Sequence, residues 1–189
     1  MINDVQSALK KLKSLKGIFL FIIITLIIHY SFRYWANPLH FYPFAEQVQQ
    51  LRQLLADIAF QHTTAVLHFL GFTFTEQNNT LTYADGSWLA INKSCSGFKQ
   101  LLQALLLFVL YPGKLKHKLW FIPMALLLMH IANIIRLTGV SITLFYYGHL
   151  WEFSHDYVFR FVFYLILFLL WVWWEEQFNN KGKKNRVED

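Results

Sequence analysis

Only one cysteine, Cys95, occurs in the 189 residues of this chain, so an intrachain disulfide framework is excluded. A lone cysteine is either a small apolar filler or a reactive thiol. The eight histidines are scattered, with no i, i+4 pair beside a glutamate, and no metal-binding motif is present. Neither a metal nor an organic cofactor is therefore expected. Internal repeats are lacking, and the only biased segment is a short basic tail. Acidic residues are scarce as well, 11 against 17 basic ones, giving a formal charge of +6. The excess sits at the two ends and in one short loop, which suits the positive-inside rule and acidic lipid head groups better than nucleic acid.

What the chain has in abundance is apolar surface: 56% of its residues are hydrophobic and 19% aromatic, too much for a soluble core of this size. Four membrane helices are expected, at about 17–35, 96–110, 119–135 and 157–174, the second short for a bilayer. The first follows Lys10, Lys11, Lys13 and Lys16 and ends in Tyr30–Trp35. Bulky aromatics there make a retained anchor with an aromatic belt, not a cleavable leader. The loop Tyr111–Lys118 and the tail Lys181–Arg186 are basic and so cytoplasmic, which places both ends inside and residues 36–95 and 133–156 outside.

Two segments fit that scheme less simply. Residues 44–70 begin with Glu46, Gln47, Gln49, Gln50, Arg52, Gln53 and Asp57, and read as an amphipathic helix whose apolar half is partly inserted. Residues 137–150 are apolar but carry Thr138, Gly139, Ser141 and Thr143, and read as an outer-leaflet or re-entrant segment. Between Phe72 and Ile91 the period changes to two, with turns at Gln77-Asn78-Asn79 and Asp85-Gly86. The expected fold is an all-α integral membrane helical bundle, one domain over 1–189, with a small extracytoplasmic β-meander at 72–91 ahead of Cys95.

The chemistry-bearing residues fall at helix ends. Cys95 stands where the meander hands over to a membrane helix, with Ser94 as the expected N-cap; open amides and the helix dipole would favour a thiolate. Lys99 and Gln103 follow at one-turn intervals and are expected on the same face. On the next helix His130, Asn133 and Arg136 form a polar stripe. Arg136 reads either as a head-group anchor or as a donor for the oxyanion of an acyl-transfer intermediate, and Asn133 as its orienter. His130, deeper, reads as a packing residue. His155, in Ser154-His155-Asp156, is a candidate base, with His149 as a competitor six residues earlier. By the charge-based topology Cys95, Arg136 and His155 reach one face, which makes nucleophile, oxyanion donor and base.

These residues resemble the exosortase/archaeosortase family of membrane transpeptidases. The likeness lies in Cys95-Ser96-Gly97 opening a membrane helix, Asn133-Ile134-Ile135-Arg136 ending a later one, and His155-Asp156 before the last, over roughly Trp88 to Trp174. The resemblance implies a protein-sorting cysteine protease and transpeptidase of the cell (inner) membrane, multi-pass, with its active site on the extracytoplasmic face. Its partners would be membrane-anchored proteins with carboxyl-terminal sorting signals. Cys95 would form a thioester, Arg136 and His155 would hold the other catalytic roles, and Asn133, Lys99 and Ser96 would support the site or contact substrate. Two other functions compete with it. One is a non-enzymatic membrane subunit of an envelope or polysaccharide export system, and the other a small transporter half using the Lys99 and Gln103 face.

Overall fold

Helix α1, Ile2–Ala36, carries the first apolar run out of its basic leader as one continuous rod. In the computed structural model residues 2–147 and 159–180 are described, with side chains from 16 to 147 and from 161 to 178. Helix α2 covers Ala45–Phe69. Strands β1 (Thr75–Gln77), β2 (Thr80–Thr82) and β3 (Trp88–Ala90) form an antiparallel sheet in the order β1-β2-β3. Helices α3 (Phe98–Leu110), α4 (Leu115–Tyr146) and α5 (Phe159–Trp174) follow, and a π-helical stretch, Glu175–Asn180, closes the described chain.

Among the described residues three helices are long and apolar enough to cross a membrane: Lys16–Ala36 of α1, all of α4, and Phe161–Phe178. Their outward faces are apolar too. Phe19, Ile22, Ile23, Leu26 and Ile27 on α1, like Leu127, Ile131 and Ile135 on α4, are exposed. Water would penalise that surface by about 25 cal/mol per Å² and lipid would not. The protein is a multi-pass membrane protein. Helix α3, with 13 residues, is only about 20 Å long at about 1.5 Å per residue.

Helix α4 is the hub, packing on α2, α3 and α5, while α3 also packs on α1. The separate segment expected over 137–150 is instead the continuation of α4 to Tyr146, so the helix does not end at 135. The small polar residues that suggested an interruption are satisfied without one. The Thr143 hydroxyl donates to the Gly139 carbonyl at 2.8 Å, and Ser141 Oγ shares a 2.7 Å hydrogen bond with the Tyr83 hydroxyl.

The meander is shorter than its alternating pattern. Phe72 and Phe74 lie before β1 and pack against the core cluster beneath the sheet. Asn78 and Asn79 both have positive φ, which is the mirror-image two-residue turn that matches strand twist. Leu81 and Ile91 point down onto Phe60, Leu67 and Leu137, with Cys95 in the same cluster. The Tyr83–Ser141 bond pins the sheet to α4, and burial raises the Tyr83 hydroxyl pKa, partly offset by that bond.

The opposite end of the bundle is closed by aromatic rings. Phe108, Phe121 and Trp174 are fully buried and meet edge to face, with centroid separations of 4.8 Å for Phe108–Phe121 and 4.9 Å for Phe121–Trp174. Trp174 Nε1 donates to the Pro112 carbonyl and Lys118 Nζ to the Val109 carbonyl, so the α3–α4 turn is held from both sides. Gly113 lies so close to the Trp174 ring that a Cβ would clash. Tyr111 donates to Glu175 at 3.0 Å, and its hydroxyl pKa is pushed up to about 12, chiefly by burial and further by the nearby Glu175 charge.

Candidate functional site

The Cys-Ser-Gly turn is fixed by its own side chains and by α4. Helix α3 starts at Phe98 with Gly97 as its cap residue, so Ser94 is not the N-cap and Cys95 lies two residues ahead of the cap. Ser96 takes the capping work: its hydroxyl accepts from the Phe98 amide at 3.3 Å and donates to the Lys93 carbonyl at 2.8 Å. Ser94 turns the other way, donating to Asn92 Oδ1, with its hydroxyl 3.9 Å from the Cys95 sulfur. Gly97 is required twice over. Its φ is +72°, and a Cβ would stand 3.0 Å from Asn133 Nδ2.

That close approach lets Asn133 Nδ2 donate to the Cys95 carbonyl at 3.1 Å. Asn133 Oδ1 accepts from Arg136 Nε at 3.2 Å, and Arg136 Nη2 points at the same Cys95 carbonyl at 3.5 Å. Asn133, 2% exposed, thus orients Arg136 and ties α4 to the cysteine turn with one amide. The two-way use of an asparagine amide explains why the residue is Asn, since a carboxylate could not donate to the Cys95 carbonyl.

Two cavities meet at this turn. One, of about 500 Å³, lies between α1, α3, α4 and α5 and is lined by Ser94, Lys99, Gln103 and Arg136. The other, of about 550 Å³, is more apolar and lies between β3 and α4, with Cys95, Trp88, Ala90, Leu137 and Val140 on its walls. The face expected to join Cys95 to Lys99 and Gln103 therefore holds only for the last two, because Cys95 precedes the helix. Ser94 borders both cavities.

His130 is 3.0 Å from His62 of α2 and belongs to that pair. His149, Ser154, His155 and Asp156 lie outside the described residues. Sequence reasoning missed His29 and Arg33, which line the cavity between α1, α3, α4 and α5 with Asn37. Their spacing of four was a legible signal of one helical face. Among the described residues no group of three or more potential metal ligands occurs.

The transmembrane exosortase family model matches residues 9–172. The chain belongs to the transmembrane exosortase family. The match takes in the Cys95 turn, the Asn133–Arg136 pair and all three of the long apolar helices over most of their length. No curated protein and no solved structure matches the chain. Exosortases are in general cysteine transpeptidases, and this chain has a single cysteine, so within that chemistry the thiol can only be Cys95.

Proposed function

We propose that this exosortase is a membrane cysteine protease and transpeptidase, a single domain that cleaves carboxyl-terminal sorting signals of surface or secreted proteins on the outer side of the membrane. The observation that carries the reading is the convergence of Asn133 and Arg136 on the Cys95 turn. It supplies, beside the one thiol in the chain, a cation whose orientation is fixed by a buried amide.

In the proposed reaction the Cys95 thiolate attacks the scissile carbonyl carbon. The carbonyl oxygen becomes an oxyanion, and Arg136 stabilises it with a charge-assisted donor that needs no reorganisation. The C–N bond then breaks, the departing amine takes a proton, and a thioester remains on Cys95. An acceptor nucleophile attacks the thioester carbonyl and releases the thiol. His155 is the base that takes the thiol proton and returns it to the amine, with His149 as the competing residue. Lys99 and Ser96 serve substrate contact and turn geometry. Basic residues at the Lys114–Lys118 end of α4 support an inside location for that end, and hence an outer location for the opposite one.

The test is processing of a membrane-anchored surface protein bearing a carboxyl-terminal signal, compared between the parent and Cys95→Ala at equal accumulation. Processing by the parent alone is the expected result. Equal cleavage by both would end the transpeptidase reading and favour a non-enzymatic envelope subunit.

A further inference from the structure

The apolar cavity of about 550 Å³ that reaches Cys95 is bordered by every residue from 86 to 90. Successive side chains of a strand point to opposite faces of its sheet. A space touched by five residues in a row therefore runs along the edge of β3 and not over one face. Strand β3 ends the order β1-β2-β3, so the edge concerned is the one turned away from β2.

The register shows which main-chain groups border that space. The Tyr83 amide donates to the Ser87 carbonyl and the Ile91 amide to the Asn79 carbonyl, each at 2.8 Å, and Leu89 stands opposite Leu81 between them. Hydrogen-bonded and non-hydrogen-bonded pairs alternate along an antiparallel ladder. Residues 87, 89 and 91 therefore turn their backbone groups to β2, and Trp88 and Ala90 turn theirs outward, along the cavity. Among the described residues no strand pairs with that side.

The facing wall is helical. Leu137, Val140 and Leu144 of α4 follow one another at spacings of three and four and present one apolar stripe. The space is a slot with peptide groups on one side, aliphatic side chains on the other and Cys95 in its lining. An acyl chain would suit the stripe and leave the outward amides and carbonyls of β3 unmatched, at a cost. A small polar solute would suit those groups and not the stripe. An extended polypeptide offers main-chain donors and acceptors at strand spacing together with alternate side chains for the apolar wall.

We propose, resting on the peptidase chemistry above for the nature of the occupant, that the slot takes the extended substrate segment beside the scissile bond. The segment adds to the sheet as a fourth strand on the edge of β3, with its apolar side chains against Leu137, Val140 and Leu144. Affinity then comes from the main chain of Trp88 and Ala90, and selection from alternate apolar side chains of the substrate.

Binding is measured by fluorescence anisotropy on purified Cys95→Ala protein in detergent, with a labelled synthetic peptide of the carboxyl-terminal signal used in the processing test. With the thiol removed the readout needs no cleavage, so docking and catalysis fail separately. In a set of peptide analogues, the backbone N–H groups around the start of the apolar run are replaced one at a time by an ester oxygen. Losses of about two- to tenfold, the worth of one hydrogen bond, are expected at every second position and none between. Ala90→Pro removes an outward N–H and no ladder bond, and should weaken binding at least as much with the unfolding midpoint little changed. Leu144→Trp fills the slot and should weaken binding about tenfold or more. Leu89→Pro takes a donor from the ladder and should lower the midpoint instead. Equal binding of all the ester analogues would overturn strand addition and leave side-chain contact or a lipid chain as the use of the slot. No peptide binding, or binding unaltered by both Ala90→Pro and Leu144→Trp, would overturn the site, the result expected if a segment of this chain itself lay along β3.

Discussion

The two ends of this bundle are built on opposite principles. At the end with the basic turn, Phe108, Phe121, Trp171 and Trp174 fill the space between helices, and little is left open. At the Cys95 end the same helices splay around two cavities, and side-chain amides and a guanidinium take the place of rings. In lipid, ring packing holds helices together without a hydrophobic driving force between them. The comparison teaches a division of labour: one end supplies stability, so the other can hold polar groups whose burial would be costly alone.

Breaking the packed end should have the largest effect. Trp174→Ala removes the ring that fills the α3–α4 turn and the donor to Pro112, and is expected to cost about 3–5 kcal/mol of stability. Unfolding in mixed detergent by urea or sodium dodecyl sulfate measures it, and the activity of the molecules that remain folded should be unchanged. A loss of specific activity with unchanged unfolding would reverse the division.

The opposite test comes next. Arg136→Lys keeps the charge but loses the Nε bond to Asn133 and the planar fork. If Arg136 holds the oxyanion, processing should fall about 10²–10³-fold, with little change in the unfolding midpoint. A variant that processes normally would reduce Arg136 to a tether for α4.

The smallest effect sharpens the picture through pH. Tyr111, raised to about 12 from 10.0, is held in its neutral form by the fold. Its contribution is therefore complete below pH 10 and lost as pH rises towards about 12. Tyr111→Phe should cost about 1 kcal/mol at neutral pH, the worth of one hydrogen bond. The same change should abolish the late tyrosinate absorbance at 295 nm, whereas an unaltered titration would place the shift on another tyrosine.

Much of this was legible in the residues. The spacing of three between Asn133 and Arg136, and the Cys-Ser-Gly turn before an apolar run, marked in the sequence the residues that meet at the turn. The pattern could not show how the turn is held. That Gly97 caps α3 and leaves room for Asn133, and that Ser96 rather than Ser94 accepts from the Phe98 amide, are matters of backbone direction. Continuity of α4 was hidden because hydroxyl residues near a helix end look like breakers until their partners are known, here Gly139 and Tyr83. The His62–His130 pair joins residues 68 apart in sequence and has no local signature. Arg33 falls inside the aromatic belt read over Tyr30–Trp35 and His29 just before it, although their spacing of four marks one face.

The brevity of α3 has a further consequence. From Lys118, which holds the end of α3, to Asn133, which holds its beginning, is about 22 Å along α4. A hydrocarbon layer is about 30 Å thick, so with Lys118 set at one head-group plane the cysteine turn would stop short of the other. Helix α3 acts as a depth gauge. For the proposed reaction, a polypeptide must bring its scissile bond below the head-group plane and unravel the last turn of its own membrane helix to do so. How far a substrate's extended segment lies from its membrane anchor then selects it alongside what that segment spells.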